Sequence, residues 1–170
     1  EYLKAFVDAG AVTVREGVAS WRRESVRAEV PKTLRGVVAS RLASLGAAER
    51  RVLQGASVIG PRVFRQQLTE TVSLGDKQID LALAALTERG LLRDQGDGEW
   101  RFASELLLDT VYDSLTLETR RGLHAAVVAV TERVFHGRLD EFAERLAHHW
   151  WEAGDRARAA QYLERAARRQ

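Results

Sequence analysis

The chain has no cysteine and no methionine, and only two of its 170 residues are proline. Without thiols, disulfide bonding, cysteine catalysis and cysteine-ligated zinc are all excluded, and redox chemistry leaves the compartment open. No stretch reaches the ~18 consecutive apolar residues of a membrane-spanning helix, and no signal peptide is evident, which favours the cytoplasm. Methionine is missing even at position 1, so the chain is expected to be a portion of a longer polypeptide. What is present suits a globular protein: 45% hydrophobic and 29% charged residues, in a length that accommodates one domain or two small ones. Lysine is scarce, since all but Lys4, Lys32 and Lys77 of the 26 basic residues are arginine. The sequence pI near 9.3 overstates the basic character. Little titrates between neutrality and about pH 9, and the formal net charge is only +2.

Apolar spacing and turn residues divide the chain. Leu3, Phe6 and Val7 predict a short helix over 1–9, stopped by Gly10. Val12, Val14, Val18 and Trp21 around Glu16-Gly17 read as a small hairpin, with a mobile loop as the alternative. Val30-Pro31 interrupts the pattern, because proline pushes the preceding residue out of the helical region, and a helix restarts at Thr33. Helices are expected over 33–45, 47–59, about 64–72 and 76–90. Gly46, Gly60-Pro61 and Gly90 serve as stops, and Asp76 is the expected N-cap of the last of these helices.

Leu91-Leu92-Arg93-Asp94 and Glu99-Trp100-Arg101-Phe102 flank Gly96-Asp97-Gly98, the composition of a hairpin turn. Three helices followed by a hairpin is the order of a winged helix; a helical bundle with one long loop is the other reading. Ser104 can cap a helix that faces Leu106, Leu107, Val111, Tyr112 and Leu115 inward. A long amphipathic helix over 119–135 follows, carrying Leu123, Ala126, Val127, Val130 and Val134. A stripe of Leu139, Phe142, Ala143, Leu146, Ala147 and Trp150 ends at Gly154-Asp155, and a last helix over 157–169 puts Ala159, Ala160, Leu163 and Ala166 on one face. This alternation of small and large residues is that of a tetratricopeptide hairpin, which needs stacked neighbours to bury both faces. A generic helical hairpin stays open as the alternative.

The expected fold class is therefore mainly α. Residues 1–46 form a helical and hairpin segment, 47–103 a winged-helix-like domain, and 104–170 a helical arm with the start of a tetratricopeptide-like sensor.

Motifs for chemistry are sparse. There is no glycine-rich turn followed by Lys-Ser/Thr to cradle phosphate, and no G-x-S-x-G elbow, so no catalytic residue is expected in this chain. His148-His149, with His124 and His136, raise the question of a metal. Adjacent helical residues point about 100° apart, and no third ligand has a fixed spacing, so no metal site is expected. A DNA-reading winged helix would insert the helix over 76–90. Its cations Lys77 and Arg89 face Asp76, Asp80 and Glu88, and the hairpin sets Arg93 and Arg101 against Asp94, Asp97 and Glu99. Each has a net charge of −1, which phosphates repel, so packing on protein is preferred to binding DNA.

Several runs carry a family resemblance. Glu1 to Gly10 ("EYLKAFVDAG"), Val30 to Leu34 ("VPKTL"), Arg41 to Leu45 ("RLASL") and Val52 to Gly60 ("VLQGASVIG") are similar to bacterial signal-transduction ATPases of the STAND class. Leu83 to Leu92 ("LAALTERGLL"), Arg101-Phe102, Val111 to Leu115 ("VYDSL") and Arg120 to His124 ("RRGLH") extend the likeness over nearly the whole chain. In that family an ATPase domain precedes a winged helix and a tetratricopeptide-like sensor, often beside an adenylate or guanylate cyclase domain or a LuxR-like DNA-binding domain.

The resemblance implies a non-catalytic regulatory module that partners an upstream ATPase domain, with ATP or ADP bound by the parent protein and no cofactor in this chain. It also implies a partner or effector domain reached through the C-terminal helices, where Trp150, Trp151, Tyr162 and Arg165 are the expected contact residues. The family commonly has a histidine two positions after the Phe, suited to touch nucleotide. Here Phe102 is followed by Ala103 and Ser104, and a serine hydroxyl at that place can cap a helix or reach phosphate weakly but cannot act as a cation. A winged-helix transcription regulator and a free-standing tetratricopeptide adaptor are the alternatives.

Overall fold

A computed structural model describes residues 12–15, 18–21 and 32–168, with side chains from residue 36 onward. The helix expected over 1–9 lies outside the described residues. Val12–Arg15 (β1) and Val18–Trp21 (β2) pair antiparallel, with Val12 opposite Trp21, so the expected hairpin is present. Eight α-helices and one three-stranded sheet follow among the described residues. They are α1 (Lys32–Ala43), α2 (Ala47–Ile59), β3 (Arg62–Phe64), α3 (Arg65–Val72), α4 (Asp76–Glu88), β4 (Leu92–Gly96) and β5 (Glu99–Phe102). Then come α5 (Glu105–Asp113), α6 (Leu117–Val134), a 3₁₀ turn (Leu139–Phe142), α7 (Ala143–Ala153) and α8 (Arg156–Ala167).

Helix boundaries follow the punctuation of the chain, with one change of cap. Asp76, expected to cap α4, is its first residue. Gly75 takes the extended N-cap conformation (φ −67°, ψ 150°), and its N–H donates to Gln78 Oε1 at 3.3 Å. Asp76 instead brings negative charge to the first turn, where the helix dipole favours it, and pairs with Arg65 at 3.2 Å.

The sheet has the order β3-β5-β4. Asp97 (φ 51°) and Gly98 (φ 72°) both occupy the left-handed region at the tip, the requirement of a tight turn whose twist matches its strands. Strand β3 has no counterpart in the sequence reading, which began a helix at Phe64. Gly60 (φ 120°) and Pro61 redirect the backbone, and Val63 and Phe64 then point to opposite faces, Val63 fully buried and Phe64 exposed.

Among the described residues, burial is organised in three clusters. The largest packs α2, α3, α4, α5 and the sheet around Leu53, Leu68, Ile79, Leu83, Leu86 and Leu92. A small one joins Val58 of α2 to Tyr112, Leu115 and Val127. The third holds Val128, Ala143, Leu146, Ala147, Tyr162 and Ala166. Val127 and Val128 are sequence neighbours about 100° apart on α6, so this helix is a wall shared by the second and third clusters. The Arg133–Glu70 ion pair adds a polar link between α6 and α3.

Val37, Leu81, Val134 and Ala160, apolar residues within the expected helices, face outward and are exposed. Val134 continues the stripe of Val127 and Val130 but opens onto a cleft it lines with Phe64, Gln67 and Phe135. On α8 the buried row is Ala159, Tyr162 and Ala166, because Tyr162 turns in toward α6.

Candidate functional site

The charged groups of the sheet and α4 are largely engaged within the molecule. Arg62 grips Glu99 in a two-pronged contact, Nε to Oε1 at 3.0 Å and Nη2 to Oε2 at 2.6 Å, and Arg101 Nε donates to Glu99 Oε1 at 3.0 Å. Arg65 holds Asp80 in the same fashion, at 2.7 and 3.0 Å. Arg89, at the end of α4, reaches Glu49 at 3.7 Å and Ser44 Oγ at 3.4 Å, and its carbonyl accepts from Arg41 Nη2 at 2.7 Å. Two of the four cations that a DNA-binding reading would use, Arg89 and Arg101, are thus tied to neighbouring carboxylates.

Hydrogen bonds from Arg62, then from Arg101, hold the Glu99 carboxyl down from its ordinary 4.5 to about 2. A carboxyl depressed in the folded state contributes stability above its unfolded pKa, and that stability disappears as pH falls from about 4.5 toward 2. Glu99→Gln should remove this acid-sensitive contribution. Circular dichroism across an acid titration should show a flatter loss of stability in that interval, and an unchanged profile would show that the Arg62–Glu99–Arg101 group contributes nothing.

Ser104 occupies the N-cap of α5, where its Oγ accepts from Leu107 N–H at 3.2 Å. Capping was one of the two roles open to it.

The four residues expected at a partner surface fall into two groups. Trp150 and Tyr162 are drawn together by Glu132 of α6, and Arg165 lies beside Tyr162. Glu132 Oε1 accepts from Trp150 Nε1 at 3.2 Å and from Tyr162 Oη at 2.8 Å, while the Arg165 guanidinium lies 5.2 Å over the Tyr162 ring. Burial first, and Glu132 second, push the Tyr162 phenol up to about 12. Trp151 is half-buried, with Arg156 5.0 Å over its ring. Trp150 and Tyr162 therefore spend their polar atoms on joining α6, α7 and α8, while Arg165 stays exposed.

A constellation that the sequence reading set aside sits where α5, α6 and α7 meet. His124 of α6 and His149 of α7 are buried, with 1% and 6% of their surface exposed, and His148 is half-buried beside them. The facing nitrogens, His124 Nδ1 and His149 Nδ1, are 2.8 Å apart, and His124 Nε2 lies 2.9 Å from Tyr112 Oη. Tyr112 Oη donates to Glu152 Oε2 at 3.3 Å. A phenol has one proton to give. With that proton on Glu152, Tyr112 can only accept from His124 Nε2–H, and in the neutral ring His124 Nδ1 then presents its lone pair to the N–H of His149. Burial, then the neighbouring His148 and Arg145, push His149 down to about 3, so it is neutral at physiological pH. The ligand nitrogens of the three rings all lie within 4.8 Å of one another. Spacing alone places no third histidine beside His148-His149; the fold brings His124 there. His136 lies apart, exposed beyond the end of α6.

Comparison with protein-family models, with curated proteins and with solved structures gives no match to this chain.

Proposed function

We propose that the chain is a non-catalytic regulatory module of an ATP-dependent signal-transduction protein. In this reading α2, α3, α4 and the sheet are a winged-helix-like unit, and α7 and α8 begin a tetratricopeptide-like sensor. The module couples the nucleotide state of an attached ATPase domain to a partner or effector domain.

The observation that supports it best is the double use of α6. Val127 packs toward the α2 and α5 side while Val128 packs into the α7–α8 cluster. A close-packed interior transmits displacement and does not absorb it, so a tilt imposed on the sheet-bearing unit moves α7 and α8 with it. The capping role of Ser104 fits a module that leaves nucleotide contact to the ATPase domain. The ion pairs of Arg89 and Arg101 weigh against the transcription-regulator alternative, since phosphate binding would have to displace carboxylates already in place.

Calorimetric titration of the chain with ATP and with ADP is expected to show no binding in the micromolar range, and duplex DNA only weak binding. Micromolar nucleotide affinity would overturn the reading. Tight, salt-sensitive DNA binding that requires Arg93 or Arg101 would replace it with the transcription regulator.

A further inference from the structure

We propose that His124, His148 and His149 form a binding site for a divalent transition metal of the zinc class where α6 meets α7. The inference is independent of the regulatory reading, because it rests only on local geometry.

Three observations carry it. The first is ring placement. Tetrahedral zinc, with Zn–N bonds of about 2.0–2.1 Å, separates its ligand nitrogens by about 3.3 Å and the centres of its imidazole rings by a little over 5 Å. Here the centres form a triangle with sides of 5.0, 5.3 and 5.7 Å. The ligand nitrogens already lie within 4.8 Å of one another, and on binding the 2.8 Å pair opens by about half an ångström.

The second is the support behind His124. A histidine ligand characteristically donates its other ring N–H to a carboxylate, a carbonyl or water, which fixes the tautomer and raises the basicity of the ligating nitrogen. His124 has this arrangement already: Nε2–H to Tyr112 Oη, and Tyr112 Oη–H to Glu152 Oε2. Its Nδ1 lone pair is thereby aimed at the centre of the cluster. A metal entering there takes the place of the proton between His124 and His149. His149 needs only to shift that proton to its Nε2, a change of tautomer with no net ionisation.

The third is the character of the pocket. His124 and His149 are buried, so their rings are held by packing and give up little freedom on binding. His148 is half-buried, so the cluster reaches the surface at this ring. Imidazole nitrogens suit zinc, copper and nickel, and disfavour calcium and magnesium, which take oxygen ligands.

The test uses the full chain, stripped of metal with a chelator and titrated with zinc, with cobalt(II) as a spectroscopic probe. One ion per chain with micromolar or tighter affinity is expected, accompanied by a rise in melting temperature and by the intense visible bands of four-coordinate cobalt. His148→Ala changes the least buried of the three rings, and it should weaken zinc binding at least tenfold while the metal-free fold persists. Tyr112→Phe should weaken it by about 10- to 100-fold through the lost support. His136→Ala should change nothing. Absence of stoichiometric binding at micromolar zinc, or binding that His148→Ala leaves intact, would overturn the proposal and leave a purely structural histidine pair.

Discussion

Gly55→Ala is expected to destabilise the chain by about 1–3 kcal/mol, although alanine is the better helix former by about 1 kcal/mol. Gly55 lies on the side of α2 that faces α3. A Cβ placed there would overlap Val72 Cγ1 and come within 3.5 Å of Leu68 Cδ1. Val72 is β-branched and stiff about χ1, it is buried, and Leu68 is wholly enclosed, so neither side chain can swing aside cheaply. The helices would have to separate, and the cluster around Leu53, Leu68 and Leu83 would loosen with them. Gly55→Leu should be more damaging still.

Thermal and denaturant unfolding measure the effect, which for a chain of this length corresponds to a fall of about 2–12 °C in melting temperature. The sign is decisive. If α2 and α3 were farther apart, propensity alone would govern and Gly55→Ala would stabilise. The double variant Gly55→Ala/Val72→Ala removes the obstructing methyl, so its loss should be smaller than the sum of the single losses, as expected of residues in contact.

Gly55 also shows what a sequence reveals and what it hides. Glycines at helix boundaries are legible because their effect is local: Gly46, expected as a stop, caps the start of α2, and Gly60, Gly90 and Gly154 follow the ends of α2, α4 and α7. Gly55 interrupts nothing in the pattern of α2, and its role is defined by a methyl group 17 positions away, so spacing could not distinguish it from an indifferent residue. The same division runs through the rest of the fold. Helices of eight or more residues carry a period. The three residues of β3 carry none, and the strand exists because β5 offers an edge to Arg62–Phe64.

The candidate sites divide along the same line. Ser104 as a cap depends on residues three positions away, and the sequence sufficed. The histidine cluster depends on α6 and α7 folding back on one another, which brings residues 24 and 25 positions apart into contact. The sequence offers four histidines, His124, His136, His148 and His149, but adjacent side chains diverge and no fixed spacing says which of the others joins the pair. They do diverge, by about 100°, and His124 enters from the facing helix. The bonds that tie Trp150 and Tyr162 to α6 are not legible in the sequence, because nothing in their own helices predicts Glu132, 18 residues before Trp150 and 30 before Tyr162.

Glu132→Ala should detach the terminal helices from α6 more effectively than truncation of any single apolar residue at their surface. One carboxylate oxygen accepts from both Trp150 Nε1 and Tyr162 Oη. Its removal leaves two partly buried donors without their acceptor, at about 1–3 kcal/mol for each donor that water cannot reach. A loss of about 2–4 kcal/mol is expected, felt in α7 and α8, since the hydrogen bonds of Glu132 go to Trp150 and Tyr162. Amide hydrogen exchange should show faster exchange in 143–167 with little change in 47–102.

Glu132→Gln keeps an acceptor oxygen and should recover most of the loss, separating the hydrogen bonds from the charge. Tyr162 provides an independent reading of the same contact. Its phenol is held up to about 12, so the stability linked to it is present below the ordinary value of 10 and is lost as pH rises toward 12. In Glu132→Gln the carboxylate's contribution vanishes while burial remains. Tyrosinate absorbance should then place the Tyr162 transition lower than in the parent chain but still above 10. A transition that does not move would mean that burial alone governs Tyr162, and that Glu132 does not hold α8 to α6.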